Sequence, residues 1–272
     1  MTNNIMPRTR QNLSCPICTS TSQFAFQSNF YDVYQCDNKQ CNHLFAGNAE
    51  PSSGEGTYSD KLYTNYLKAE RDDNLVRFLH SINFFNSYSK ILDFGAGPGF
   101  LSDAIKRILG EETNISCIEA SKSFTEHLIG KGYTVYPNFD GLPQDFKFDS
   151  AMVKEVIEHL QDPVSLMTSL RKHQSENAQI LITTPAGDWR DRSHPERAKL
   201  GVYQDKTHIQ YFTEKSLKLC LKKAGFSYFN YCYLDVFYPN LDRNVLEVDK
   251  RAKTAYKNYH NGTYQHLTYF IM

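Results

Sequence analysis

From about residue 88 onward, short apolar runs alternate with stretches of helical period. Ile91-Leu92-Asp93-Phe94 reads as a buried strand, because adjacent apolar residues suit a strand covered on both faces. It breaks into Gly95, Gly97 and Gly99. Phe100 to Leu109 then has helical spacing, and Gly110 is its stop. Ile115 to Ile118 is the second strand, and Ser121 can cap a helix to about Ile129, with Gly130 near its end. Thr134-Val135-Tyr136 is the third strand, Ser150 to Lys154 the fourth, and Gln179 to Thr184 the fifth, ended by Pro185. Asp162-Pro163 joins an N-cap residue to proline at the first helical position and opens a helix to about Arg171. Thr213 caps a further helix that Gly225 ends, and aromatic alternation from Phe226 to Tyr233 predicts a late strand. This alternation predicts an α/β fold with a doubly wound parallel sheet.

Outside that core the pattern changes. Phe24 to Tyr34 reads as a hairpin, residues 42–56 are rich in glycine, serine and proline, and Asp60 to Phe85 reads as helical. From about Asn244 the chain looks helical and aromatic. The expected division is a small unit over 1–48, a linker and helical lid over 49–87, a ligand-binding domain over 88–240 and a C-terminal helical extension over 241–272.

The glycine turn narrows the ligand. Glycines let a backbone turn tightly and approach a ligand at the carboxyl end of a parallel strand. A dinucleotide fingerprint has the spacing G-x-G-x-x-G. Here the glycines stand at 95, 97 and 99, and Phe100 takes the place of the third fingerprint glycine. A bulky side chain there argues against a pyrophosphate. Glu119, at the end of the second strand, is placed to accept hydrogen bonds from a ribose diol.

Together these blocks resemble a class I S-adenosylmethionine-dependent methyltransferase. The matching segments are Asp93 to Gly99, Glu119, Phe148 to Leu160, and His208 to Thr213 with its following helix, about residues 88–235 in all. The resemblance implies a Rossmann-like sheet, S-adenosylmethionine as cofactor and methyl transfer as the activity. It places Asp93 under the glycine turn and the methionine ammonium, gives backbone access to Gly95 and Gly97 and the ribose to Glu119, and counts Ala96, Gly99 and Ala120 among the cofactor-binding residues. Asp140 could meet the adenine amine, or could be a turn residue. Lys154 and Glu155 end the fourth strand where the methyl group should sit. Tyr63 and Tyr66 could line the pocket.

A base helps if the acceptor is a hydroxyl. His159 and His208 are the candidates, with His194 a third on a charged loop. The alternative for His159 is local packing with a hydrogen bond to backbone, and for His194 a solvated surface.

Four of the 7 cysteines fall near the start, as Cys15-x2-Cys18 and Cys36-x4-Cys41. Such hooks can converge on tetrahedral zinc and make a zinc-ribbon-like unit. About forty residues cannot bury enough apolar surface alone, so the metal's role would be structural. His43 could replace a cysteine, but a surface position is the simpler expectation. A zinc-ribbon leader on this core resembles bacterial enzymes that methylate sugars, nucleotide-linked sugars or natural products.

Composition sets the partners. Of 272 residues, 30 are basic and 30 acidic, so no broad positive surface awaits nucleic acid. Neither a membrane-length apolar run nor a signal-like start occurs. The expectation is a cytoplasmic enzyme acting on a small-molecule substrate. The alternatives are a methyltransferase acting on RNA or protein, and a non-catalytic S-adenosylmethionine-binding protein. The sequence carries no sign of an oligomeric state.

Overall fold

The structure is a computed structural model that describes residues 11–49, 68–187, 201–231 and 266–272. Among these residues the chain forms two sheets. The first has the order β1-β2-β3-β4-β10, with β1 Leu13–Ser14, β2 Thr21–Gln27, β3 Asp32–Cys36, β4 Leu44–Ala46 and β10 Gln210–Tyr211. The expected hairpin is β2–β3, bulged between Phe24 and Phe26.

The second sheet holds β5 Ile91–Phe94, β6 Ile115–Ile118, β7 Thr134–Tyr136, β8 Phe148–Lys154, β9 Gln174–Pro185, β11 Phe229–Tyr231 and β12 His266–Ile271. Its order is β11-β12-β9-β8-β5-β6-β7. Strands β5 to β9 are parallel, and β5 to β8 carry the predicted apolar runs. Among the described residues five α-helices flank the sheets: α1 Lys68–Ser81, α2 Phe100–Leu109, α3 Lys122–Gly130, α4 Pro163–His173 and α5 Glu214–Lys223. The caps of α4 and α5 work as read, whereas Ser121 at the start of α3 makes no side-chain capping bond. Asp162 Oδ1 accepts from Ser165 N at 2.9 Å. Thr213 and Ser216 cap α5 reciprocally, and Gly225 leaves it at φ +89°.

Two expectations change. The end of the chain is a strand where a helix was expected: β12 lies antiparallel between β9 and β11 and makes the sheet mixed. Leu267, Thr268, Tyr269 and Ile271 are all buried, so the strand is covered on both faces and leaves no two-residue alternation to read in the sequence. The expectation for residues 241–265 lies outside the described residues. His43, expected at the surface, is fully buried. Its Nε2 meets Gln210 Oε1 at 2.8 Å and its Nδ1 meets Ser216 Oγ at 3.1 Å.

That histidine explains how the N-terminal unit is joined. Strand β4 pairs with β10, so a segment of the larger domain completes the smaller sheet. Cys15, Cys36 and Cys41 share one buried cluster with Leu92, Val153 and Leu217. The described part of the expected 1–48 unit, residues 11–48, therefore shares a buried core with the larger sheet.

Helix α1, the described part of the expected lid, lies along the sheet. Asp72 in its first half pairs with Lys154 at the end of β8. Beyond its last turn, the Phe84 carbonyl accepts from Ser150 Oγ near the start of β8, at 2.7 Å. Leu75, Val76 and Leu79 are the buried face. Each such side chain contributes about 1.5–3 kcal/mol by leaving water.

Candidate active site

Strand register brings the site together. Phe94 is level with Ile118 on one side and Val153 on the other. The next residues, Gly95, Glu119 and Lys154, therefore emerge at one level, at the carboxyl end of the parallel strands. Ligands in open α/β sheets bind in this crevice, beside the place where strand order reverses.

The glycine turn has a physical reason at each end. Gly95 sits at φ +71°, and a Cβ there would lie 2.5 Å from Val156 Cγ2. Gly99 sits at φ +84°, and its Cβ would lie 2.6 Å from Leu128 of α3. A side chain at Gly99 would therefore press on α3. Between them, Ala96 is buried and Gly97 adopts φ +54°.

Glu119 faces that turn. One carboxylate oxygen accepts from Gly97 N at 2.7 Å and the other from Ser121 N at 2.8 Å. A carboxylate has about four lone-pair sites. Each oxygen therefore retains acceptor capacity for a hydroxyl, which fits a ribose diol. Ala120 follows at the exposed rim. Asp93 is buried below the turn and accepts from Ser102 Oγ at 2.7 Å. Burial pushes its carboxyl up to about 6, against the opposing hydrogen bond and the nearby Lys154 charge.

The remaining predicted positions surround this centre unequally. Lys154 is tied to Asp72. Glu155 takes a left-handed backbone at φ +54° and accepts from Thr183 Oγ1 at 2.7 Å. Non-glycine residues in that region are strained, and such strain clusters at functional sites. Asp140 is exposed on the turn Phe139–Gly141, which docks through Phe139 stacked on Phe94 with ring centroids 5.3 Å apart. Tyr63, Tyr66 and His194 lie outside the described residues.

His159 and His208 meet, with ring centroids 4.9 Å apart. His159 Nδ1 donates to the Thr207 carbonyl at 2.9 Å and His208 Nδ1 to the Val202 carbonyl at 3.0 Å. The backbone contact expected under the local-packing alternative is thus present, and the ring still faces a second titratable group. Burial, helped by the His208 charge, draws His159 down to about 4, so its ring is neutral at pH 7. Asp205 Oδ2 stands 3.8 Å from His208 Nε2.

Glu158 was legible as part of this block but its importance was not. It is fully buried, its Oε2 accepts from Thr184 Oγ1 at 2.9 Å, and burial holds its pKa well above the usual carboxylate value. A charged residue between apolar Ile157 and Leu160, four positions past β8, was the available signal. Asp205 and Gln210 gave no such signal.

The four N-terminal thiols also converge. Cys15 and Cys41 sulfurs are 3.8 Å apart, Cys18 and Cys36 sulfurs 3.3 Å apart, and all four lie within 4.8 Å of one another. Zinc–sulfur bonds of about 2.3 Å in a tetrahedron put sulfurs about 3.8 Å apart. The donor set and spacing therefore fit zinc. The hydrogen bond from Cys41 draws the Cys15 thiol down to about 5, while burial pushes Cys36 up to about 12. Packed thiols hinder one another's ionisation unless a cation compensates.

The comparisons with known proteins agree with this geometry. A family profile described as "Methyltransferase domain" matches residues 63–230. The ubiquinone biosynthesis O-methyltransferase of Schizosaccharomyces pombe mitochondria is 26% identical over 125 residues, 43% of this chain. The chain spans 45% of that relative's length. An S-adenosylmethionine-dependent methyltransferase from Archaeoglobus fulgidus superposes with TM-score 0.51 at 16% identity, covering 74% of this chain and 93% of its own. The CcbJ methyltransferase of Streptomyces caelestis gives 0.56 at 10% identity, with coverages of 82% and 98%. These structural likenesses establish the fold. Among the described residues, no helix is long and apolar enough to cross a membrane.

Proposed function

We propose, from the premise that this chain belongs to the methyltransferase-domain family, that it moves a methyl group from S-adenosylmethionine to a hydroxyl of a small biosynthetic intermediate. The cofactor, when bound, supplies a methyl group on a positively charged sulfur. The chain's own task is to hold nucleophile, methyl and sulfur in line.

The observation that carries this reading is the Glu119 carboxylate, fixed by Gly97 N and Ser121 N beside the glycine turn. Glu119 grips the ribose diol, and Gly95 to Gly97 give the methionine end backbone access. Asp93, Lys154, Glu155 and Ala120 complete the cofactor side, with Asp140 at the adenine; Tyr63 and Tyr66, outside the described residues, remain candidates for the pocket by sequence alone. The acceptor enters from the side of His159 and His208. A neutral imidazole there takes up the acceptor's proton.

Oxygen as acceptor is supported by the printed name of the S. pombe relative, an O-methyltransferase. A sugar or nucleotide-linked sugar is the substrate class we favour, on the resemblance of the cysteine-bearing leader to sugar-methylating enzymes. Zinc at Cys15, Cys18, Cys36 and Cys41 is structural in this reading, because four sulfurs leave no open position. The enzyme works in the cytoplasm, where such thiols stay reduced.

The test is turnover. The purified chain is incubated with isotopically labelled S-adenosylmethionine and fractionated small-molecule extract. Label is expected in a small molecule, with S-adenosylhomocysteine formed in equal amount. Label found only in RNA or protein, or cofactor bound without turnover in any fraction, would overturn this reading.

A further inference from the structure

The ion pair between Lys154 and Asp72 is costly where it stands. Lys154 keeps 19% of its side-chain exposure and Asp72 only 3%. Two charges leave water at a cost that their mutual attraction repays incompletely. An apolar pair of similar size would fasten α1 to β8 as well, so the charges call for a use.

Strand register points to one. Asp93 on β5 is level with Met152 on β8 and with Cys117 on β6. Side chains alternate between the two faces of a sheet. Asp93, Met152 and Lys154 therefore share one face. That face lies under α1 and α2, because Ile91 and Met152 pack with Leu75 and Val76 of α1 and Ile105 of α2 in one buried cluster. Toward the carboxyl ends of the strands the apolar row gives way to polar groups. There Ser102 of α2 donates to Asp93 Oδ2 at 2.7 Å, and Lys154 donates to Asp72 Oδ1.

Asp93 thus stands among a cation and several groups of its own sign. Lys154 faces it from β8, Asp72 from α1 and Glu119 from the end of β6. The Cys117 thiol and the Tyr133 phenol complete its surroundings. Burial pushes the Cys117 thiol up to about 12 and raises the Tyr133 phenol, so both are neutral at pH 7. Burial also pushes Asp93 up to about 6, the Ser102 hydrogen bond and Lys154 oppose that rise, and Asp72 and Glu119 add to it. A carboxyl titrating there is about nine-tenths ionised at pH 7, and a further rise of about one pH unit would leave about half. The Lys154 charge therefore governs how much carboxylate lies under the glycine turn.

We propose that Lys154 and Asp72 are positioning residues of the crevice, acting through Asp93 to present a carboxylate to a cationic group bound there. Lys154 brings the favourable charge, and Asp72 holds its ammonium at the rim of the face and tempers it. That the cationic group is the methionine ammonium of the cofactor rests on the methyl-transfer reading above; the charge relation among the three side chains does not.

The test follows the Asp93 carboxyl by nuclear magnetic resonance of the full zinc-loaded chain, labelled at its aspartate carboxyl carbons. Its signal is the one missing from Asp93→Asn. The wild-type midpoint is expected near 6. Lys154→Met should raise it by about one pH unit or more, since an opposite charge is lost. Asp72→Asn should lower it, since a like charge is lost and Lys154 is left to Asp93 alone. Lys154→Arg, which keeps the charge, should stay close to wild type. Both partner variants break the same ion pair, so a purely structural role would move both midpoints in one direction. Thermal transitions confirm that each variant is folded. Midpoints that move together, or an Asp93 that titrates near the ordinary value of about 4, would overturn the proposal. Binding of S-adenosylhomocysteine, measured on the same samples, should strengthen through each protein's own Asp93 midpoint. Affinity that is flat across that range would overturn the contact with the ammonium. No binding at any pH, with the midpoints moving in opposite directions, would leave the charge relation standing and remove the cofactor reading.

Discussion

A single histidine shows how closely position decides chemistry here. His159 sits at the end of an apolar strand's turn, and burial with its neighbour His208 draws its pKa to about 4. In the unfolded chain the same ring titrates near 6.5. The folded value is depressed, so the fold disfavours the protonated ring. Above pH 6.5 both states are neutral and nothing is lost. Between pH 6.5 and 4 the unfolded state binds a proton that the folded state refuses, and stability falls. Buried His43, also drawn down by desolvation, adds to the same trend. Denaturant midpoints of the metal-free chain should therefore decline as pH drops through that window, and less steeply in His159→Gln. An identical pH slope in the variant would show that the ring is not buried as described. The sequence showed this residue as a candidate without saying which of two roles it had. Its meeting with Thr207 and His208, some fifty positions away, was not legible in the sequence.

Among the elements, the seam between β4 and β10 matters most. The cysteine hooks were legible because ligand spacing is local. Their connection to the larger domain was not, because it depends on His43 reaching Ser216 and Gln210 far along the chain. Gln210 Nε2 also donates to the Leu160 carbonyl at 2.9 Å, which ties the seam to the Glu158–His159 turn. Loss of zinc should therefore loosen more than the first forty residues. After chelation, amide hydrogen exchange is expected to rise over 13–46 and also over 207–213, while β5 and β6 stay protected. Exchange confined to the N-terminal residues would mean that the seam holds without its metal. The glycine turn stands at the opposite pole: strand, turn and helix start within ten residues, so local chemistry fixed it in advance.

At the scale of the whole molecule, the sheet is finished by a strand from the far end of the chain. Alternation of strands and helices predicted the parallel strands β5 to β9, but β12 pairs antiparallel with β9 over six residues. Long-range pairing of this kind leaves only a weak local pattern, and the aromatic content of the segment read as helix instead. Without β12 the edge of β9 would be bare, and unpaired edges invite association. Deleting residues 266–272 should lower the thermal midpoint by many degrees or drive the chain into aggregates, by size-exclusion chromatography. A monodisperse truncated chain with unchanged melting would contradict this placement.

The central claim is that the crevice beside the glycine turn grips a nucleoside through Glu119. Calorimetric titration of S-adenosylhomocysteine into the purified chain tests it most directly. Two hydrogen bonds to a charged group contribute about 1.5–3 kcal/mol each, so Glu119→Ala should weaken binding at least about tenfold. Saturable binding at one site per chain, weakened to that degree in the variant, is the result predicted. A folded wild-type chain that takes up no ligand, or a variant that binds equally well, would contradict it.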